Sequence, residues 1–397
     1  MFRELVVELY LLLIKVLNFV MKVFPMKKKT TFIMSYGENL ICIYDEMKRQ
    51  NIKSQVVFLY KHTCKYRMDI YSDVKSIKFE SGNILHIIRS IYHLSTSQYI
   101  IIDNYFGSLS KIKLKKGVRC IQIWHAAGAV KKFGLMAPSF NKRSPRAQKR
   151  FLSVYNKFHK IVVGSDKLAA IYKDAFALSD DRILKTGIPR TDIFFNEHNK
   201  NQVRDSILLA NPVLKEKKII LYAPTFRDKE LREFDLQLDI ETMYRELRDK
   251  YILIIKLHPA LKNTLHYKDR YNGFLYDYSF YPNINDLFLV TDILVTDYSS
   301  TPFEFSLLNK PIIYFMYDLK RYSKKRGVIG DYLDEMPGPI TYSTDELIKV
   351  IKSEFFEQEE VQKFSLEWNK YSVGNSSKNL IDYLFNNEMK NKDEERL

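Results

Sequence analysis

Ile293-Leu294-Val295-Thr296-Asp297-Tyr298-Ser299-Ser300-Thr301-Pro302 is the stretch on which the fold turns. A short apolar run stops at an acid, then becomes small and polar, with proline where a first helical turn accepts it, so the segment reads as strand, turn and helix start. The same grammar recurs along the chain. Residues 121–124 run into His125-Ala126-Ala127-Gly128, residues 219–222 into Ala223-Pro224-Thr225-Phe226-Arg227-Asp228, and residues 252–257 into His258-Pro259. Apolar runs at 31–35, 55–60, 99–103, 119–124 and 160–164, with helical stretches between several of them, predict buried strands of a parallel sheet covered by helices. A polar stretch at 196–204 interrupts the pattern, which restarts at 218–222, 251–257, 292–296 and 311–316. Two α/β units therefore stand in tandem, residues 369–386 are expected to close the chain with a helix, and the charged tail 390–396 is expected to fray. Open parallel sheets bind ligands beyond the carboxyl ends of their strands, so the residues directly after each run are the candidates for chemistry.

Composition narrows the function classes. Of 397 residues, 46% are hydrophobic and 28% charged, which excludes a disordered or collagenous chain. Cys42, Cys64 and Cys120 form no CxxC pair, so neither a disulfide framework nor a structural zinc site is supported and a reducing cytoplasm fits best. Lys and Arg number 63 against 47 Asp and Glu, and the net charge of +16 calls for an anionic partner: nucleic acid, a phosphorylated substrate or an anionic membrane face. The basic residues are spread through helices and loops without a nucleic-acid motif, so no nucleic acid is expected.

The N-terminus selects a membrane. Residues 5–26 are mostly apolar but contain Glu8, Lys15 and Lys22. Glu4, Glu8, Leu11, Lys15, Asn18 and Lys22 recur at spacings of four and three, which places them on one helical stripe, expected to stay wet while Leu, Val, Ile, Phe and Tyr form a broad greasy face. With Lys27, Lys28 and Lys29 behind it, this segment predicts a monotopic membrane-association helix and basic flank over residues 1–29. The competing reading is a helix packed on this protein's own core or on a partner. Charges inside the apolar run, and no small-residue cleavage site after it, disfavour a signal peptide.

His125 and His258 are two of eight histidines, and each follows an apolar strand, one per unit. A lone histidine of this kind is more often structural; two in matching places favour function, since imidazole accepts a proton near neutral pH or, protonated, binds phosphate. Ala126, Ala127 and Gly128 are small enough to admit a ligand close to the backbone. The Asp297–Thr301 turn offers N–H groups and hydroxyls as a phosphate cradle, against the plainer reading of a helix cap. Arg190 and Arg227 are candidates for bidentate contact with diphosphate oxygens, against ordinary surface salt bridges. The basic loop Lys131-Lys132 and residues 141–150 lies on the same rim as His125; a solvated charged loop is the default reading, and beside an amphipathic N-terminal helix it is expected to face the bilayer. Neither GxxxxGK[ST] nor GxGxxG occurs, and the lack of a DxD pair argues against an obligatory divalent cation, so no metal and no cofactor are expected.

Taken together, Trp124-His125-Ala126-Ala127-Gly128 with Lys131-Lys132-Phe133-Gly134, Gly187-Ile188-Pro189-Arg190-Thr191-Asp192, Tyr222 to Asp228, Lys256-Leu257-His258-Pro259, Thr296 to Ser300 and Asn309-Lys310-Pro311 resemble the CDP-glycerol glycerophosphotransferase family of wall teichoic acid synthesis, in family order from about residue 31 to 386. The short length, Asp103-Asn104-Tyr105-Phe106 and Trp368-Asn369-Lys370-Tyr371-Ser372 resemble its primase branch. The resemblance implies an α/β GT-B architecture, two Rossmann-like domains facing a central cleft: residues 30–200 for the acceptor, 201–386 for CDP-glycerol, and a charged tail over 387–397. It implies transfer of sn-glycerol 3-phosphate from CDP-glycerol to the ManNAc of an undecaprenyl-diphosphate-linked ManNAc-GlcNAc disaccharide, with release of CMP, by a peripheral enzyme on the cytoplasmic face of the cell membrane. The family's functional histidines fall on His125 and His258, and its donor contacts on Arg190, Pro224, Thr225, Arg227, Ser299, Ser300 and Glu304. His125 is the candidate base on the acceptor side; His258, Arg227 and the Ser299/Ser300 turn would stabilise the diphosphate and leaving CMP, and Glu304 would orient a donor hydroxyl. Family polymerases often carry His-Gly-Thr where this chain has His125-Ala126-Ala127, which leaves donor contacts from that turn open. Alternatives are a short poly(glycerol/ribitol phosphate) transferase of the same family and a nucleotide-sugar glycosyltransferase on the same fold. The choice of base between the two histidines and homo-oligomer formation stay open.

Overall fold

The computed structural model describes residues 2–64, 66–225, 236–257, 270–327, 329 and 332–386. Thirteen strands are described, in two sheets. The first contains β1 (Lys27–Met34), β2 (Gln55–Tyr60), β3 (Lys75–Lys78), β4 (Ser97–Ile102), β5 (Arg119–Gln122), β6 (Lys160–Val162) and β7 (Ile183–Leu184), in the order β3-β2-β1-β4-β5-β6-β7. The second contains β8 (Lys218–Ala223), β9 (Tyr251–Ile255), β10 (Leu275–Asp277), β11 (Ile293–Thr296), β12 (Ile312–Phe315) and β13 (Ile340–Thr341), in the order β10-β9-β8-β11-β12-β13. Every pairing is parallel, so both sheets are doubly wound, with order reversing between β1 and β4 and between β8 and β11.

The apolar runs all become strands, and the four strands without such a run are β3, β7, β10 and β13, the four sheet edges. An inner strand buries both faces and so carries an apolar run, as β9 and the first three residues of β11 do; an edge strand such as Lys75-Ser76-Ile77-Lys78 buries one residue in four and leaves no run to read. The expected strand 119–124 is cut short at Gln122, because Trp124 adopts a left-handed backbone with φ 63°.

The two halves interlock. A Cβ on Gly128 would sit 2.4 Å from the Phe303 ring, so the absent side chain makes room for the opposite half. Gly187 holds φ +86° where a Cβ would lie 2.3 Å from the Tyr371 carbonyl oxygen. Near it the Asp192 carboxylate accepts the Ser376 and Ser377 N–H groups at 2.8 Å each, capping the Ser376–Ile381 helix. Residues 376–386 thus return to the first sheet, where Tyr99 Oη donates to the Leu384 carbonyl (2.9 Å).

The N-terminal helix, Phe2–Met21, corrects the expectation of a wet stripe. Leu11 and Asn18 are each 2% exposed, Asn18 Nδ2 donates to Ser95 Oγ (2.8 Å), and Asn18 Oδ1 accepts the Lys113 N–H (2.9 Å). Glu4 accepts from Ser144 Oγ (2.6 Å) and Glu8 meets Arg150 (3.5 Å), beside the helix Pro145–Tyr155. Of the stripe, Lys15 alone is exposed among residues 4–22. The polar stripe finds its partners on the protein, so it is the apolar face that points outward: Leu9, Leu12 and Phe19 are 58%, 54% and 80% exposed. No described helix is long and apolar enough to cross a membrane.

Candidate active site

A cavity of about 450 Å³ opens between the carboxyl ends of the two sheets. His125, Arg190, Pro224, Thr225, Ser299, Ser300 and Glu304 all line it, so seven of the nine residues expected at the site share one space. Arg227 and His258 lie outside the described residues. Lys131 and Lys132 also line the cavity, which corrects their expected orientation toward the bilayer; the helix Pro145–Tyr155 from the same basic stretch does lie beside the N-terminal helix.

On the first half the site is built around Asp103, the residue after β4. Its carboxylate accepts the N–H groups of Ser35 (2.7 Å), Tyr36 (2.9 Å) and Gly37 (2.8 Å), tying down the turn that follows β1. Burial pushes the Asp103 carboxyl up to about 6 against the pull of these three donors, with Glu38 adding to the rise. The Asp103 carbonyl accepts from His125 Nδ1–H at 3.2 Å. A carbonyl can only accept, so this contact fixes the neutral ring as the Nδ1–H tautomer and puts the lone pair on Nε2. The ring stacks on Trp124 (centroids 4.6 Å) and meets the tilted ring of Tyr36 (4.9 Å).

The second half answers with hydroxyls. Asp297, the residue after β11, accepts the Thr225 N–H (2.8 Å) and so holds the turn after β8, while Thr296 Oγ1 donates to the Ala223 carbonyl (2.7 Å). Ser299 and Ser300 lead into the helix Thr301–Phe305, whose first turn carries Pro302. Five residues make a weak dipole, and Ser300 forms no side-chain cap, so the cradle offers hydroxyls and backbone N–H groups in place of a long helix terminus. Lys256 is 6% exposed and donates to the carbonyls of Ser279 (2.9 Å) and Tyr281 (2.6 Å).

Arg190 joins the halves. Its Nε donates to Glu304 Oε1 (2.6 Å), Nη1 pairs with Glu38, its N–H donates to Asn39 Oδ1 (3.0 Å), and its carbonyl accepts from Asn285 Nδ2 (3.3 Å). Burial alone would lower the Arg190 pKa, but Glu304 and Glu38 outweigh it and the guanidinium stays charged. Burial raises Glu304 to about 6 despite Arg190. Glu304 is 1% exposed, and its Oε2 has no protein partner among the described residues.

The sequence reading missed Asp103, Asn39, Gln122, Tyr36 and Glu38 as site residues. Asp103 does follow an apolar run, the signal used elsewhere; Asn39 is recognisable only by partners distant in sequence, and Gln122 only by its bonds to the Asn104 carbonyl and to the N–H of Trp124 two residues on.

Comparison with known proteins gives the family. The family model for CDP-glycerol:poly(glycerophosphate) glycerophosphotransferase matches residues 16–386. A teichoic acid glycerol-phosphate primase of Bacillus subtilis (strain 168) is 37% identical over 97% of this chain and 98% of its own length. A second protein of that name, from Bacillus spizizenii (strain ATCC 23059 / NRRL B-14472 / W23), is 34% identical over 94% and 97%. A solved structure of a histidine variant of the wall teichoic acid polymerase TagF, soaked with CDPG, superposes with a TM-score of 0.79 at 24% identity, covering 92% of this chain and 90% of that one, which is a likeness of fold.

Proposed function

The chain belongs to the CDP-glycerol:poly(glycerophosphate) glycerophosphotransferase family, and from that premise we propose that it is a teichoic acid glycerol-phosphate primase: it moves one sn-glycerol 3-phosphate from CDP-glycerol to the ManNAc hydroxyl of an undecaprenyl-diphosphate-linked ManNAc-GlcNAc, releasing CMP. The observation that carries this reading is the single cavity in which His125 of the first half faces Thr225, Ser299 and Ser300 of the second.

In the reaction, His125 Nε2 takes the proton of the acceptor hydroxyl as that oxygen attacks the β-phosphorus of CDP-glycerol. A new P–O bond forms to the sugar, the bond from the β-phosphorus to the bridging oxygen breaks, and CMP departs in line with the electron pair. Little covalent chemistry is asked of the protein beyond placement and charge neutralisation. The Thr225, Ser299 and Ser300 hydroxyls, with Pro224 shaping the wall, hold the donor; Arg227 and His258 are assigned to its diphosphate. Arg190 is engaged by two carboxylates, so its part is to fix Glu304, whose second oxygen is placed to accept a donor hydroxyl. Residues 30–200 form the acceptor domain and 201–386 the donor domain, with 376–386 packed back on the first half.

The membrane partner is reached through the outward apolar face of the N-terminal helix, flanked by Lys27, Lys28 and the basic helix Pro145–Tyr155, on the cytoplasmic face. Lying flat fits an exposed face of Leu9, Leu12 and Phe19.

Mass spectrometry of the product from CDP-glycerol and a lipid-linked disaccharide analogue tests the reaction: one added glycerol phosphate is expected under excess donor, and a ladder of products contradicts it. Sedimentation with anionic vesicles tests the surface. Leu12→Glu with Phe19→Glu should release the protein and lower turnover of a lipid-linked acceptor, with turnover of a short-chain soluble acceptor nearly unchanged; equal loss on both would refute the membrane role.

A further inference from the structure

Alone among the described non-glycine residues with a left-handed backbone, Trp124 is aromatic, and it sits in a turn next to His125 rather than at a helix end. A bulky residue held there stores roughly 1–3 kcal/mol and persists only when its surroundings over-determine it. Here three buried polar side chains do so. Gln122 Oε1 accepts the Trp124 N–H (2.8 Å) while Gln122 Nε2 donates to the Asn104 carbonyl (3.0 Å). Asn39 Nδ2 donates to the Trp124 carbonyl (3.2 Å). The third is Asp103, whose carboxylate holds the turn just before Asn39 and whose carbonyl holds His125 Nδ1. Gln122 and Asn39 are 0% and 2% exposed, so neither bond is exchanged with solvent.

Asn39 has a second bond, its Oδ1 accepting the Arg190 N–H (3.0 Å). One carboxamide therefore spans the peptide that aims His125 and the backbone of the residue that pairs with Glu304 on the opposite half. We propose that Asn39 is a positioning residue for the transfer: it locks the His125 turn to the Arg190–Glu304 pair, so that the acceptor side and the donor side of the cleft keep one register. This rests on the reading of His125 as the base. In-line attack tolerates little misplacement, and a shift of about 1 Å costs on the order of 10²-fold.

Asn39→Asp separates the hydrogen-bonding role from mere packing. Ionised, the new carboxylate still accepts the Arg190 N–H but repels the Trp124 carbonyl; protonated, it donates to that carbonyl again. The variant is expected to lose about 10–100-fold in kcat at pH 8, with KM for CDP-glycerol within about threefold of wild type. Its kcat relative to wild type should climb as pH falls; Asp103, Glu304, Glu38, Tyr36, His125 and Arg190 surround this position in every variant, and Gln122→Met, which keeps them all and adds no carboxylate, controls for their own response to pH. Gln122→Met, which removes the acceptor of the Trp124 N–H on the other side of the same residue together with the bond to the Asn104 carbonyl, should show the kcat loss without the recovery, and it decides the matter if Asn39→Asp does not fold. Wild-type kcat in a folded variant, or a loss in Asn39→Asp that is independent of pH, overturns the inference. His125→Ala in the same assay should lose about 10²–10⁴-fold. Turnover retained there overturns the base reading and this inference with it, whereas loss there beside wild-type turnover in Asn39→Asp and Gln122→Met overturns the inference alone.

Discussion

The two sheets reverse their strand order in the same way, and at each reversal the residue after the middle strand is a buried aspartate that grips the turn beyond the neighbouring strand: Asp103 on Ser35, Tyr36 and Gly37, Asp297 on Thr225. What is built on the two grips differs. The first turn closes at once into the helix Glu38–Arg49, through Gly37 at φ +97°, and leaves the Asp103 carbonyl to orient an imidazole. The second leaves Thr225 lining the cavity opposite Ser299 and Ser300. One fold device thus serves twice, once to aim a base and once to present hydroxyls. A duplicated scaffold does not imply duplicated chemistry, because function resides in what the turn presents.

The largest expected effect breaks that contrast directly. Asp103→Asn replaces an acceptor-only carboxylate with a group that turns N–H toward backbone N–H, so the turn carrying Tyr36 and Glu38 shifts and the His125 contact with it. The expected outcome is a fall in kcat of about 10²-fold with donor KM within a few-fold of wild type. Asp297→Asn disturbs the hydroxyl side and is expected instead to raise KM for CDP-glycerol roughly 10-fold with a smaller change in kcat. Steady-state kinetics on proteins matched for melting temperature read both. If the two variants show the same split between kcat and KM, the two grips do one job and the contrast is wrong.

How much of this was legible in the chain follows from the physics of each feature. Inner strands announce themselves because burial on both faces demands an unbroken apolar run, while the edges β3, β7, β10 and β13 carry no such demand. His125, Thr225 and Ser299 were readable as polar groups placed directly after such runs. Asn39 and Gln122 were not, since their partners are the Trp124 backbone and, for Asn39, the backbone of Arg190, and nothing local signals that Trp124 will turn left-handed. The N-terminal helix shows a different limit. Periodicity identifies the polar stripe, but whether that stripe meets water or the protein depends on Ser95, Lys113, Ser144 and Arg150, none of which is near it in sequence.

The smallest expected effect on turnover lies at the other ends of the same strands, and there the likeness between the halves can be sharpened. Below the first reversal Lys29 Nζ donates to Thr96 Oγ1 (2.6 Å) and meets His93 Nδ1 at 3.2 Å; below the second, Lys310 Nζ donates to the Thr291 carbonyl (2.5 Å). Burial lowers both lysines; Asp292 pulls Lys310 back up against smaller pushes from Arg204 and Lys200, whereas Lys27 and Lys75 push Lys29 further down with no carboxylate among the described residues opposing them, to about 8 from 10.5. Below pH 8 the folded protein therefore holds an ammonium that its surroundings disfavour. Between pH 8 and 10.5 the unfolded chain still binds the proton that the folded protein has released, so this group's contribution to stability rises with pH through that window. Lys29→Met removes the penalty: its stability relative to wild type should be more favourable at pH 7 than at pH 10 by on the order of 1–3 kcal/mol. Lys310→Met, which takes away a lysine with a carboxylate nearby, should show a smaller dependence. Since Lys29 lies at the opposite end of β1 from the cleft, kcat should stay within about twofold of wild type. Urea unfolding at pH 7, 8.5 and 10 measures the difference, and an equal response from the two lysines would mean that Asp292 does not distinguish the feet of the two sheets.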